Sequence, residues 1–302
     1  MITLLMSKKA NEPKTTGKKE TLVPKGILIA IGGKEDKGLD EENEKKRNEN
    51  FIQMEILERF CQELKGKNPL VAVIPTASSV PEEAGQDYVD AFGKLGRSNV
   101  KLIDIRERAD VTNPEYLDLV RKADGVMFTG GDQLRLTAIL GGSEFLLILK
   151  QRYIQEQIVI AGTSAGAAAM SAGMIYEGQE LQGMLKGDVK LTTGLDFLKN
   201  VAIDTHFITR GRMVRMAHLL ATNPGCIGIG LEEDTGIVVK GGKEAEVIGS
   251  GLIVIMDARG CTSTNIHEAN NGEPVTIRNM VVHLLGKGDC FNLPEFNPLY
   301  TY

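Results

Sequence analysis

A stretch near the middle of the chain admits few folds: Ile158-Val159-Ile160-Ala161-Gly162-Thr163-Ser164-Ala165-Gly166-Ala167-Ala168-Ala169-Met170. Its four leading apolar residues read as a buried strand, and the small residues after Gly166 read as the start of a tightly packed helix. Between them, Gly162-Thr163-Ser164-Ala165-Gly166 fits the G-x-S-x-G nucleophile elbow. A serine on so sharp a strand-to-helix turn projects its hydroxyl away from the backbone, and the flanking glycines relieve the crowding. The amide of Ala165 then points to where an oxyanion would form, with a helix N-terminus behind it.

The residues before this turn alternate strand and helix. Strands are expected over 26–33, 70–77, 100–104, 125–131 and 158–161, and helices over 51–65, 81–95, 114–123, 133–140 and 143–155. In the first helix Leu57, Phe60, Cys61 and Leu64 recur at helical spacing. This is the pattern of an α/β protein with a doubly wound parallel sheet. Functional groups of such sheets collect at the carboxyl ends of the strands. Gly32-Gly33, Thr76-Ala77-Ser78, Gly130-Gly131-Asp132-Gln133 and Ser164 all stand at such ends and converge on one crevice. From about residue 178 the pattern changes to shorter strands. One spans 201–207, a helix follows over 212–221, strands cover 227–231 and 236–240, and β-hairpins are expected over 245–257 and 275–285. With no repeat or linker in view, 25–295 is expected as one domain. A basic disordered tail over 1–24 and a short tail over 296–302 flank it.

Bulk properties exclude several functions. A net charge of −5 over 302 residues gives no support to nucleic-acid binding. The four cysteines form no C-x-x-C pair, which fits a reducing compartment. No apolar run approaches a membrane-spanning length, and the segment 1–6 is short for a signal peptide, so the expectation is a cytoplasmic protein with no membrane partner. There is no G-x-G-x-x-G, no Walker A and no H-E-x-x-H motif, so no cofactor and no metal are expected.

A serine nucleophile needs a base, and four histidines are available. His206 ends a strand in Asp204-Thr205-His206-Phe207, where a base belongs. His218 falls inside an apolar helix and reads as a packing residue. His283 reads as a half-buried strand position, and His267 lies in a polar loop. An orienting carboxylate is then needed, and Glu232, Glu233 and Asp234 cluster at another strand end, all three open for the role. The order serine, histidine, acid differs from that of α/β-hydrolases and points to an independently evolved triad. The amides of Gly130-Gly131 either complete an oxyanion hole with Ala165 or form a plain turn in which Asp132 caps a helix. Gln133 is placed to bind substrate. Arg210, Arg212 and Arg215 follow His206 closely, either as a solvated helix face or as clamps for substrate carboxylates. The preferred substrate is acidic.

Taken in order, Ile31-Gly32-Gly33-Lys34-Glu35-Asp36-Lys37, Ile74-Pro75-Thr76-Ala77-Ser78, Phe128-Thr129-Gly130-Gly131-Asp132-Gln133, the elbow, Asp204-Thr205-His206-Phe207 with the three arginines, and Gly228-Ile229-Gly230-Leu231-Glu232-Glu233-Asp234-Thr235 resemble the cyanophycinases. These are a serine-peptidase family that also contains α-aspartyl dipeptidases. The resemblance runs from about residue 26 to 293. It implies a flavodoxin-like fold, a homodimer, and hydrolysis of cyanophycin, a poly-aspartate carrying arginine on each side-chain carboxyl, with release of β-Asp-Arg. By position it implies Ser164 as nucleophile, His206 as base, Glu233 as its acid, and Gly131 with Ala165 as oxyanion donors. Gln133, Asp204, Arg210, Arg212 and Arg215 fall at substrate-binding positions. So does Thr205, where the family pattern has glutamine. Thr137 stands where a basic residue is expected. These two departures leave open a peptidase acting on short acidic peptides, or a homologue that binds the polymer without cutting it.

Overall fold

The computed structural model describes residues 23–39, 50–178 and 185–294. The tail expected over 1–24 lies outside these apart from its last two residues, and the tail over 296–302 lies wholly outside them.

Five strands with the expected alternation form the centre: β1 (Ile27–Ile31), β2 (Val71–Ile74), β3 (Val100–Leu102), β4 (Gly125–Phe128) and β5 (Val159–Thr163). They lie parallel in the order β1-β5-β4-β2-β3. Side chains alternate across a strand, so each strand feeds two cores. Leu28, Ala30, Ala72, Ile74, Val126, Phe128 and Ile160 face one side, against α3 (Pro114–Lys122), α4 (Gln133–Leu140) and α5 (Glu144–Gln155). Ile29, Ile31, Val71, Val73, Met127 and Ala161 face the other, against α1 (Glu55–Glu63) and α2 (Pro81–Lys94). Helices on both faces of a parallel sheet make the doubly wound, flavodoxin-like α/β arrangement. Both faces covered also explains why these strands read as continuous apolar runs.

After Ser164 the alanine run forms only a short helix, α6 (Ala165–Ala168). A ribbon of β6 (Gly173–Glu177) and β7 (Lys190–Thr193) follows. Next come β8 (Val201–Thr205), α7 (Met213–Thr222), β9 (Ile227–Leu231), β10 (Thr235–Lys240), β11 (Glu244–Gly249) and β12 (Ile253–Asp257). The pair β13 (Ser263–Thr264) and β14 (Ile277–Arg278), then β15 (Val281–Leu285) and β16 (Cys290–Asn292), complete the chain of elements. The segment 245–257 is not one hairpin. Its first half, β11, pairs with β10 and extends the large sheet antiparallel beyond β1, with β16 outermost. Its second half, β12, belongs to a second sheet ordered β15-β12-β9-β8. One face of that sheet (Val201, Ile203, Ile229, Ile253) joins the first core, and α7 covers the other with Met216, Leu219 and Leu220. His283 lies on β15, the edge strand, and is exposed rather than half-buried.

The result is a junction. The carboxyl ends of β1, β4 and β5 meet those of β8 and β9. Among the described residues no helix is long and apolar enough to cross a membrane.

Candidate active site

The elbow at the end of β5 has the geometry its sequence requires. Ser164 sits at φ 48°, ψ −110°, a conformation L-residues rarely adopt, which costs about 1–3 kcal/mol and must be held by its surroundings. Its amide donates to the carbonyl of Ile31 on β1 (2.9 Å), and its carbonyl accepts from Ala168 (2.9 Å). The flanking glycines are needed because the backbones nearly touch: a Cβ on Gly162 would lie 2.6 Å from the backbone of Gly166. Strain is concentrated here. Lys34, His206 and Asp234, in the turns that bring the base and the acids to Ser164, also have positive φ.

The Oγ of Ser164 lies 3.0 Å from Nε2 of His206, and Nδ1 of His206 lies 2.7 Å from Oε1 of Glu233. A carboxylate only accepts, so Nδ1 carries the proton and Nε2 is left to accept from the serine hydroxyl. His206 is 6% exposed. Burial holds its pKa below the ordinary histidine value of 6.5; Glu233 opposes this, while Arg210 and Arg212 reinforce it. The ring is therefore neutral at neutral pH, as a base must be. For Glu233, burial favours the neutral form, but hydrogen bonds from His206 and Lys34 outweigh it and hold the carboxyl below its usual range. Of the three acids left open by the sequence, only Glu233 meets the imidazole. Glu232 accepts from the amides of Ile208 (2.6 Å) and Thr209 (3.0 Å) and from the Thr209 hydroxyl, fixing the loop after His206. Asp234 accepts from Ser250 Oγ (2.6 Å) and from the amide of Asp36 (3.3 Å).

The loop leaving β1 binds these parts together. The Gly32 carbonyl accepts from the His206 amide (3.0 Å), and the Gly33 carbonyl accepts from the Asp234 amide (2.9 Å). Gly33, at φ +104°, cannot be replaced freely, since a Cβ there would lie 2.5 Å from Cε1 of His206. Lys34 Nζ reaches Oε1 of Glu233 at 2.9 Å. Neither Lys34 nor the neighbouring buried Glu35 was singled out individually by the sequence. The available signal was a charged run directly after a buried strand ending in diglycine.

On the opposite side, the end of β4 supplies the second diglycine. Gly130 abuts Ser164: a Cβ built on it would be 3.4 Å from that of the serine. Gly131, at φ +140°, packs so closely on the carbonyl of Ala77 that a Cβ would lie 2.0 Å from the oxygen. Asp132 caps α4, accepting from the amides of Leu134 (2.8 Å) and Arg135 (3.1 Å). Gln133 donates to the carbonyl of Ile175 at 2.9 Å. Thr137 turns back onto its own helix, donating to the carbonyls of Gln133 and Leu134. Ala165 lies at the head of α6, where the first amides of a helix have no partner within it.

The residues expected to grip substrate divide into two groups. Asp204 and Arg215 are 3% and 4% exposed and bound to each other: Nε of Arg215 donates to Oδ2 at 2.6 Å and Nη2 to Oδ1 at 2.5 Å, while Nη1 reaches the Gly178 carbonyl at 3.2 Å. Here they are an internal bidentate ion pair, not a pair of groups presented to a ligand. Arg212 joins them, donating to Asp204 Oδ1 (3.2 Å) and to the Thr205 carbonyl (2.8 Å). Thr205 is 3% exposed, so its hydroxyl is likewise not displayed in an open cleft. Arg210 is the exposed member, close enough to His206 to act on its charge. His218 is buried on α7, and His267 is exposed beside Glu268.

Comparison with known proteins fits this geometry. The sequence profile of Peptidase family S51 matches residues 43–247. A cyanophycinase of Synechococcus elongatus is 34% identical over 269 residues, covering 89% of this chain and 80% of that protein. A cyanophycinase of Geminocystis herdmanii (strain PCC 6308) is 33% identical over 272 residues, 90% of this chain and 95% of that one. Among solved structures, a peptidase from an acI-B1 Actinobacterium superposes with a TM-score of 0.62 at 22% identity, over 90% of this chain and 98% of that one, a likeness of fold.

Proposed function

The chain belongs to peptidase family S51 and is a serine-type peptidase, and from that premise we propose that it hydrolyses cyanophycin at α-aspartyl bonds, releasing β-Asp-Arg. The observation that carries the chemistry is the continuous contact Ser164 Oγ–His206 Nε2 (3.0 Å) and His206 Nδ1–Glu233 (2.7 Å). In this reading Ser164 attacks the α-aspartyl carbonyl while Nε2 of His206 takes its proton. Glu233 holds the tautomer and stabilises the imidazolium that forms. The amides of Ala165 and Gly131 receive the oxyanion. The imidazolium then protonates the leaving amine, and water repeats the sequence on the acyl-enzyme. Gln133 and Arg210 are the candidates for contacts with substrate carboxylates. Nothing in this scheme calls on a cofactor.

The substrate assignment is supported by the cyanophycinases named above, each similar to this chain over about nine-tenths of its length. Thr137 and the internal pairing of Asp204 with Arg215 favour a second reading, a peptidase of short α-aspartyl or isoaspartyl peptides, because they leave fewer groups to hold a polymer. Incubating the purified protein with insoluble cyanophycin separates the readings. Release of β-Asp-Arg that disappears in Ser164→Ala supports the polymer. Cleavage of Asp-X dipeptides alone supports the second reading, and binding without release would contradict both. The resemblance further implies a homodimer, which light scattering on the full chain tests; one folded unit over 25–295 and a cytoplasmic location remain proposals from the sequence pattern.

A further inference from the structure

We propose that Glu35 is a positioning residue for the nucleophile, acting through its hydrogen bond with Thr163; this rests on the reading of Ser164 as the attacking group. Glu35 is 3% exposed although it sits in a strongly charged loop. Burying a carboxylate is unfavourable unless its oxygens are satisfied. Here both are. Oε2 accepts from the hydroxyl of Thr163, the last residue of β5, and Oε1 accepts from the hydroxyl of Tyr88 on α2. Lys37 stands 3.6 Å from Oε1 and 4.9 Å above the Tyr88 ring, a counter-charge at the edge of the cluster. Burial, reinforced by Glu35, pushes the Tyr88 hydroxyl well above its usual pKa, so it remains a donor.

Its position gives this cluster its meaning. Thr163 immediately precedes the strained serine, and Glu35 belongs to the same short segment that holds Ser164, His206 and the turn carrying Glu233. Within that segment Ile31 accepts from the Ser164 amide, Gly32 from the His206 amide and Gly33 from the Asp234 amide, while Lys34 pairs with Glu233. The link from Glu35 to Thr163 ties this loop to the nucleophile's strand through side chains. Tyr88 braces the same carboxylate from a separate element. Without that link, the elbow on β5 and the seat of His206 on the β1 loop keep their backbone pairing but lose the side-chain brace between them. Distances between nucleophile and base would then loosen before any substrate contact changed.

The test uses a fluorophosphonate probe on the full chain, because its reaction with Ser164 needs no knowledge of the natural substrate. Thr163→Val keeps the shape and removes the hydroxyl. It is expected to lower the maximal labelling rate about tenfold or more while leaving the half-saturating probe concentration unchanged. Thr163→Ser is expected to restore it. Adding Glu35→Gln to Thr163→Val is expected to cost little more, since Glu35 reaches the nucleophile's strand through Thr163, while Tyr88 only braces the carboxylate. If Thr163→Val fails to fold, Tyr88→Phe removes the other donor to Glu35 and is expected to lower the same rate with the same unchanged half-saturation. Rates unchanged per labelled site in either variant, even with a lowered Tm, would overturn the proposal. Labelling that persists in Ser164→Ala would instead overturn the reading of the nucleophile.

Discussion

The chain places a diglycine at the carboxyl end of β1 and another at the end of β4, on either side of the serine strand, and the two work in opposite ways. At Gly32-Gly33 the backbone is closed up. Its carbonyls hold the loops of His206 and Glu233, and the imidazole packs on Gly33 so tightly that a Cβ would fall 2.5 Å from the ring. At Gly130-Gly131 the glycines let the backbone press against Ala77 and against Ser164 itself, while Asp132 directs the chain into α4. The first diglycine seats the proton-transfer pair. The second shapes the wall where an oxyanion would lie. On the proposed mechanism the same dipeptide at the same kind of strand end serves different halves of one reaction, and what distinguishes them is the partner that arrives from elsewhere in the chain.

Four substitutions sharpen or break this contrast. The largest effect is expected on the β1 side from Glu233→Gln. An amide no longer stabilises the imidazolium and can impose the wrong tautomer, so kcat should fall on the order of 10³–10⁴-fold with the Tm little altered. Gly33→Ala comes next: displacing the imidazole by a fraction of an ångström or more should cost about 10²-fold in kcat, with KM nearly unchanged. Lys34→Met is smaller, because the lysine side chain is 67% exposed and water screens it. Removing a cation from the carboxylate beside His206 raises the histidine's pKa. The acid limb of the kcat/KM–pH profile, which in the native protein should fall below the ordinary histidine value of 6.5, therefore moves to higher pH. The least effect is expected at Gly130, on the β4 side. Gly130→Ala brings its Cβ only to ordinary contact, 3.4 Å from that of Ser164, and activity should stay within about threefold of native. A loss in Gly130→Ala as large as that in Gly33→Ala would erase the distinction drawn between Gly33, which seats the imidazole, and Gly130, which only lies beside the serine.

Local pattern made much of this legible in the sequence. The doubly wound sheet followed from the strand-helix alternation, and Ser164 and His206 from their places at strand ends. Contacts between distant residues stayed hidden. Local pattern left Glu232, Glu233 and Asp234 open as the histidine's partner, and only the family resemblance implied Glu233; the turn after β9, where Asp234 takes a positive φ, is what brings Glu233 to the ring. Arg215 looked like a substrate clamp because sequence shows its nearness to His206 and not its bidentate pairing with Asp204. Lys34 and Glu35 entered only as members of the Ile31–Lys37 motif, without roles, because their partners lie on β5, α2 and the turn after β9. The alanines after Ser164 have high helix propensity, yet α6 is short because the carbonyls of Ala169 and Met170 accept from Leu195, Phe197 and Leu198. The division of 245–257 between two sheets was likewise invisible, since an apolar strand carries the same pattern whichever sheet receives it.

The most direct test of the site is to trap the nucleophile. After reaction with a fluorophosphonate, peptide mapping of the full-length protein should place one adduct per chain on Ser164. Hydrolytic activity should disappear in proportion to labelling, and His206→Ala should abolish both. An adduct on another residue, or hydrolysis that continues after Ser164 is fully modified, would contradict the assignment of the Ser164–His206–Glu233 chain as the centre that cuts the peptide bond.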